Sequence, residues 1–414
     1  MNILMNKKLY DDYFDEIMNL NPSLNDSFQI EKYKHLNKHF ENYISEEHIK
    51  KEKKLYEKYL AKINSLKKLS LYDSVLKYQC VKGLNFLKYD YHLLPLEQEN
   101  NVISFFCEMA NGTSLYVFKT IKDYENFINK TQEFLLFLDT CIENMTIGMN
   151  KNVVLPIHIC KLLLKQLNLI KKEKPYLNKK IKKNLDFDFN KKMTELLDPY
   201  LDKLIKFLKN IYIKKCQKNI GRSSLKNGKK MYENLVQYYT GIKKLTIKQI
   251  HNYGLEEVER IHNEMIKVKN HLKFKQSLTK FNEYLNNKKD LKFQTKKEAL
   301  DTYKNKIKEI KNTLMKSQFN EKIKTKCDIL EIPDFNNEFI SQAYYVPPSL
   351  GGKRNGRFYL NVNNLDSLNI MEVEALTLHE AYPGHHFQLS SPSMQKGGNG
   401  WKSFIKENPG RVSG

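Results

Sequence analysis

Apolar residues recur at helical intervals along much of the chain, and the clearest run begins after residue 295. Its apolar positions are three or four residues apart: Leu300, Tyr303, Ile307, Ile310 and Leu314. This spacing places them on one face of an α-helix, so we expect that face to pack against a core. Thr295 and Glu298 have the spacing of a capping box, which predicts where the helix begins.

A second capping box, formed by Thr246 and Gln249, predicts another helix start. We expect this helix to end at Gly254, because glycine commonly follows the last turn of a helix. A separate helix is then expected from about Leu255. Its apolar face comprises Val258, Ile261, Met265 and Val268.

Proline and glycine divide the chain unequally. No proline lies between Pro199 and Pro333, whereas six of the eleven prolines lie from residue 333 onward. Nine of the sixteen glycines lie after residue 350. Because both residues interrupt helices, residues 1–330 are expected to form long helices and residues 331–414 a turn-rich segment. We expect one continuous domain of mainly α class, with a small β element.

The β element precedes a short helix. Residues 343–348 (AYYVPP) are expected to be extended because of the restriction before proline, and residues 357–362 (RFYLNV) are expected to form a strand. Apolar residues from Ile370 to Leu378 then predict a helix that ends in His379 and Glu380. A strand, a short connection and a helix with His-Glu is the layout of zincin peptidases, in which the strand lines the cleft.

Residues 379–388 read HEAYPGHHFQ, the strongest indication of chemistry in the chain. Two imidazoles can bind a divalent metal, and a neighbouring carboxylate can act as a base. On a straight helix His385 would lie roughly 120° away from the face of His379, and His386 would lie about 10 Å further along the axis. We therefore expect the helix to bulge or break at residues 383–384, which leaves either His385 or His386 as the second ligand.

The formal net charge of +23 is a weak indication of a partner. Only five of the 70 basic residues are arginine, and the lysines are spread along the whole chain. Arginine and aromatic residues are not arranged for reading bases, so we expect no specific nucleic-acid binding. Non-specific binding of polyanions is the third-ranked function.

The six cysteines are far apart and include no CxxC pair, which favours reduced thiols in an intracellular protein. The first 14 residues lack the apolar stretch of a secretory signal, and no apolar run is long enough to span a membrane. We therefore expect a cytoplasmic protein.

Further segments accompany the HEAYPGHHFQ motif. They are YYVPP at 344–348, GRFYLN at 356–361, LTLHE at 376–380, and landmarks at 147–156, 228–232, 239–240 and 254–258. With these segments the chain resembles, over about residues 85–390, the domain of unknown function 885 family, whose signature is HEAxPGHHxQ.

The resemblance implies a large helical zincin-like fold and zinc-dependent hydrolysis of a peptide or small amide. By resemblance, His379 and either His385 or His386 bind Zn²⁺, and Glu380 is the general base. Tyr344 or Tyr345 is then the candidate donor to the oxyanion.

Two arginines and an asparagine near the strand are candidate substrate-binding residues. Arg354 and Arg357 stand out in a lysine-rich chain, and a bidentate contact to a carboxylate would suit an exopeptidase. The alternative is two surface arginines on a turn. Asn361 belongs to the GRFYLN segment.

The third zinc ligand is where the chain departs from the family. The family places a glutamate in an EGW segment about thirty residues after the first histidine, and this chain has none before Gly414. Beyond Glu380 its only acidic residue is Glu407, the remaining candidate. The resemblance thus implies absent C-terminal helices. The alternative to an active peptidase is a truncated or degenerate, inactive member.

Overall fold

The computed structural model describes residues 7–97, 101–179, 181, 187–242, 244–320, 323–332, 342–349 and 354–390. Most of these residues are helical, which confirms the mainly α class. The α-helices are α1 Lys7–Leu20, α2 Leu24–Phe28, α3 Glu46–Asn64, α4 Leu71–Phe86, α5 Val102–Ala110, α6 Ile121–Lys151, α7 Ile157–Glu173, α8 Phe189–Asn210, α9 Gly228–Thr240, α10 Ile247–His271, α11 Leu278–Asn287, α12 Lys296–Asn312, α13 Leu314–Gln318, α14 Val373–Glu380 and α15 His385–Ser390. Among them, none combines the length and apolar character needed to cross a membrane.

The largest core surrounds α6, which packs along α8 and contributes aromatic side chains. Phe134 of α6 stacks on Phe106 of α5 with ring centroids 3.9 Å apart. A capping box of Thr120 and Asp123 begins α6, and Asn152 ends it in a left-handed conformation. A second core joins α1, α3 and α4.

A buried ion pair joins the two cores. The Nζ of Lys130 on α6 lies 2.8 Å from a carboxylate oxygen of Asp26 on α2, and both side chains are almost fully buried. Lys130 also donates to the carbonyl of His39. Burial raises the pKa of Asp26 to about 6, and the ammonium of Lys130 opposes this rise. The pair is therefore tolerated only because each charge neutralises the other.

Removing one partner of this pair is expected to destabilise the protein. Lys130→Met should lower the free energy of unfolding by about 3–5 kcal/mol, because it leaves the Asp26 carboxylate buried without its cation. The double variant Lys130→Met, Asp26→Leu should recover most of that loss. Urea unfolding of both variants and the wild type measures the effect, and equal losses in the single and double variants would contradict it.

The predicted apolar stripe after residue 295 packs as expected. Thr295 caps α12 by accepting from the backbone N–H of Glu298. Tyr303, Ile307 and Ile310 are buried in a third core, against the sheet and α14.

A three-stranded sheet has the order β1-β3-β2, with β1 Cys327–Glu331, β2 Ala343–Val346 and β3 Gly356–Leu360. β3 is parallel to β1 and antiparallel to β2, and Phe358 lies opposite both Ile329 and Tyr345. The predicted extended segment and strand are confirmed as β2 and β3, whereas β1 was not predicted. One face of the sheet packs on the third core, which includes residues of the HEAYPGHHFQ motif, and the other face contacts the 113–115 loop. β3 therefore connects the motif to the helices that precede the sheet.

The prediction of two helices around Gly254 was wrong. One continuous helix, α10, runs from Ile247 to His271, and its predicted capping box at Thr246 is present. Gly254 is not among the described glycines with positive φ, so its backbone does not form the left-handed cap that the prediction required.

Candidate metal centre

The histidine motif is folded as two short helices joined by a tight turn. α14 ends at Glu380, and α15 begins at His385, so the predicted break at residues 383–384 is confirmed. The turn brings α15 back over the end of α14. A Cβ on Gly384 would lie 1.8 Å from the carbonyl oxygen of His379, so a residue without a side chain is needed there.

This turn brings three side chains together. One ligand atom each of His379, Glu380 and His385 lie within 4.8 Å of one another. The imidazole rings of His379 and His385 are 4.7 Å apart between centroids and nearly perpendicular. His379 is exposed, His385 is half-buried and Glu380 is buried, so the group opens to solvent on the histidine side.

Glu380 has an unusual environment for a carboxylate. Its Oε2 is buried and, within the described part of the chain, has no hydrogen-bond partner. Burial raises the pKa of the Glu380 carboxyl, and the neighbouring His379 opposes that rise. An unpaired buried carboxylate oxygen is costly, which is consistent with a site that receives a cation or a proton donor from outside.

His386, the residue after His385, is fully buried, and both of its ring nitrogens have hydrogen-bond partners. Its Nε2 is 3.1 Å from the carbonyl oxygen of Thr325, an atom that can only accept, so Nε2 carries the proton. Nδ1 then accepts, and the hydroxyls of Tyr345 and Ser390 lie 2.7 and 3.1 Å from it. Burial lowers the pKa of His386 to about 4, so the ring is neutral.

Gly356, at the start of β3, leaves space for the hydrogen bond between Tyr345 and His386. A Cβ on Gly356 would lie 2.0 Å from the hydroxyl oxygen of Tyr345 and 2.5 Å from Nδ1 of His386. The GRFYLN segment therefore begins with glycine because the histidine and tyrosine approach its backbone.

The two candidate tyrosines lie on opposite faces of the sheet, since neighbouring residues of a strand alternate. Tyr345 faces the motif, and its ring is nearly parallel to that of His385, with centroids 6.2 Å apart. Tyr344 stacks on Tyr359 at 4.6 Å, and its hydroxyl lies 3.4 Å from a carboxylate oxygen of Glu108. The structure thus brings Tyr345, and not Tyr344, to the histidines.

The candidate arginines lie on the same side of the sheet as Tyr344, away from the histidines, and donate to main-chain carbonyls. Arg354 is buried and donates to Leu115 at 2.8 Å and to Pro347 at 2.9 Å. Arg357 donates to Ser114 at 3.0 Å. Both guanidinium groups therefore anchor the 113–115 loop to the sheet.

Asn361 is not part of the group of three. Asn361 is buried just after β3, where its backbone N–H donates to the carbonyl of Gln342 at 2.8 Å. Glu407 lies outside the described residues.

Some residues near the site were missed by sequence reasoning. The carbonyl of Thr325 and the hydroxyl of Ser390 contact His386, and neither gives a sequence signal. Cys327 on β1 is close enough to Glu380 for that carboxylate to help raise the pKa of its thiol to about 12, after burial and Asp328. The pairing of β1 with β3 brings Thr325 and Cys327 to the motif, whereas Ser390 reaches His386 from the next turn of α15.

Comparison with known proteins gives a family and a fold. The family described as "Bacterial protein of unknown function (DUF885)" matches residues 28–408. No curated protein matches the chain. The fold is similar to that in "The crystal structure of the putative lipoprotein from Colwellia psychrerythraea", with a TM-score of 0.79 and 17% identity over 97% of this chain and 74% of that chain. At this identity the likeness concerns the fold alone.

Proposed function

The chain belongs to the DUF885 family of bacterial proteins of unknown function, and for this member we propose zinc-dependent hydrolysis of a peptide or small amide bond. One observation carries the proposal. His379, Glu380 and His385 are brought within 4.8 Å of one another, although a proline and a glycine interrupt their helix.

The two histidines fit two ligand positions of a zinc ion, because imidazole nitrogens are common zinc ligands. Glu380 lies beside them with a buried, unpartnered oxygen, which suits a base rather than a third ligand. We assign His379 and His385 as the metal ligands. His386 is not assigned, because both of its ring nitrogens are already hydrogen-bonded.

Bound zinc would supply a Lewis acid that polarises the scissile carbonyl and makes water easier to deprotonate. In the reaction that we propose, Glu380 accepts a proton from water as the water oxygen bonds to the carbonyl carbon. Glu380 then donates that proton to the leaving nitrogen as the C–N bond breaks. Burial of Glu380 favours its holding the proton between these two steps.

Tyr345 and His386 have a positioning role in this proposal. The hydroxyl of Tyr345 donates to His386, and His386 donates to the carbonyl of Thr325. These two bonds fix α15 against β2 and the segment before β1, and so fix the position of His385.

Incubation with a mixture of peptides tests the proposed activity. Mass spectrometry should show new peptide termini with the zinc-loaded protein, none after zinc is removed with a chelator, and recovery when zinc is restored. His379→Ala should show no cleavage under any of these conditions. Zinc-loaded wild-type protein that cleaves nothing in a broad mixture of peptides and small amides would overturn the proposal in favour of an inactive member.

A further inference from the structure

The long helix α10 exposes an apolar stripe that the described chain does not cover. No residue of α10 is buried, although the helix is 25 residues long. Five apolar side chains along it and its C-cap are between 37% and 66% exposed: Val258, Ile261, Met265, Val268 and Leu272. Contiguous apolar patches of this kind mark interaction surfaces in folded proteins.

The spacing of the stripe is that of a two-helix seam. Successive positions are three, four, three and four residues apart, which is the heptad pattern of a coiled coil. A stripe of this spacing fits one facing helix, and the exposed Tyr253 and Leu255 lie on either side of it.

Charge along α10 indicates which helix fits. Acidic residues concentrate in the stretch before Met265, and basic residues follow it. The acidic residues are Glu256, Glu257, Glu259 and Glu264, with one cation among them, Arg260, which pairs with Glu257 and Glu264. The basic residues are Lys267 and Lys269 in α10 and Lys273 and Lys275 just beyond its end. A second copy of α10 in antiparallel orientation would place each acidic stretch beside a basic one, whereas a parallel copy would place like charges together.

The antiparallel arrangement also matches side-chain sizes in each layer. With its centre at residue 263, Val258 lies opposite Val268 of the second copy, and Ile261 lies opposite Met265. Leu272 lies opposite Gly254, where no atom other than those of its chain neighbours and the backbone of α10 lies within 4 Å of the position that a Cβ would take. A glycine inside an exposed helix, which weakens the helix itself, then provides space for a large side chain.

From the stripe, the charge segregation and this register we propose that α10 forms an antiparallel coiled-coil interface between two copies of the chain. The proposal is independent of the metal centre, since no residue of the stripe belongs to that site.

Sedimentation equilibrium of the full chain tests the association. The wild type should show a concentration-dependent dimer of the 49.1 kDa chain. The double variant Ile261→Asp, Met265→Asp should be monomeric, with an unchanged circular-dichroism spectrum because both positions are exposed. Leu136→Asp, an equally apolar and exposed position on α6, is the control and should dimerise like the wild type.

Cross-linking tests the orientation. Gly254→Cys and Leu272→Cys variants should be joined by a short bis-maleimide when mixed, and each variant alone should give no more cross-linked dimer than the parent chain. In the antiparallel register the two copies of residue 254 are about 27 Å apart, too far for the reagent. The proposal would be overturned by a wild type that stays monomeric or by a dimer that survives the Ile261→Asp, Met265→Asp change. Cross-linking of either cysteine variant alone above the level of the parent chain would also overturn it.

Discussion

Glu380→Gln is expected to lower the rate of peptide cleavage by about 10²- to 10⁴-fold, the usual contribution of a general acid–base residue. The amide has nearly the same shape as the carboxylate but does not accept a proton from water. Because His379 and His385 are unchanged, zinc content should remain near the wild-type value. The rate at saturating peptide and the zinc content, measured on the same preparation, distinguish loss of a base from loss of the metal.

The pH dependence of cleavage distinguishes a general base from a residue that is needed only for structure. Burial raises the pKa of Glu380, and only its ionised form accepts a proton, so wild-type cleavage should fall as pH drops through that raised pKa. The acid limb should be absent from the residual activity of Glu380→Gln. Glu374→Gln, on the exposed side of the same helix, is the matched control and should retain wild-type cleavage. Full activity in Glu380→Gln would rule out the proposed base.

The second large effect is expected at His385. His385→Ala should weaken zinc binding by roughly 3 kcal/mol, or about two orders of magnitude, since several ligands together supply about 10–16 kcal/mol in zinc sites. Competition with a chromophoric chelator measures this affinity. Cleavage should be lost at zinc concentrations that saturate the wild type.

The adjacent histidine provides the comparison. His386→Asn should lower the melting temperature, because it disrupts the bonds to Tyr345 and Thr325 in a fully buried position. Its effect on zinc affinity should be smaller than that of His385→Ala. The opposite ranking, with zinc lost in His386→Asn and kept in His385→Ala, would make His386 the ligand.

The sequence correctly predicted the elements whose apolar residues are buried in the structure. The stripe of α12 is buried, and the strand before the motif is present because its aromatic and apolar residues pack on both faces of the sheet. The break in the motif helix followed from Pro383 and Gly384 alone, since proline removes a hydrogen bond and glycine permits the close turn.

Other features depend on contacts between distant residues. The choice between His385 and His386 was open in the sequence, and it became tractable only when Thr325 and Tyr345 were found on either side of His386. Arg354 attracted attention as an arginine in a lysine-rich chain, yet it contacts Leu115, 239 residues away. No periodicity encodes such a pairing.

The error at Gly254 has a physical explanation. Glycine costs a helix interior about 1 kcal/mol relative to alanine, which is too little to end a helix whose other residues favour it. The capping box at Thr246 and the pairs of Arg260 with Glu257 and Glu264 support α10 on both sides of the glycine.

Zinc content of the purified chain tests the central claim most directly. Wild-type protein and His379→Ala are dialysed against the same weak chelator, and zinc and protein are then measured by elemental and amino-acid analysis. We expect about one zinc ion per wild-type chain and almost none in His379→Ala, because two histidines are the assigned protein ligands. A wild-type chain that retains no zinc, or a His379→Ala chain that retains as much as the wild type, would contradict a metal centre at this motif.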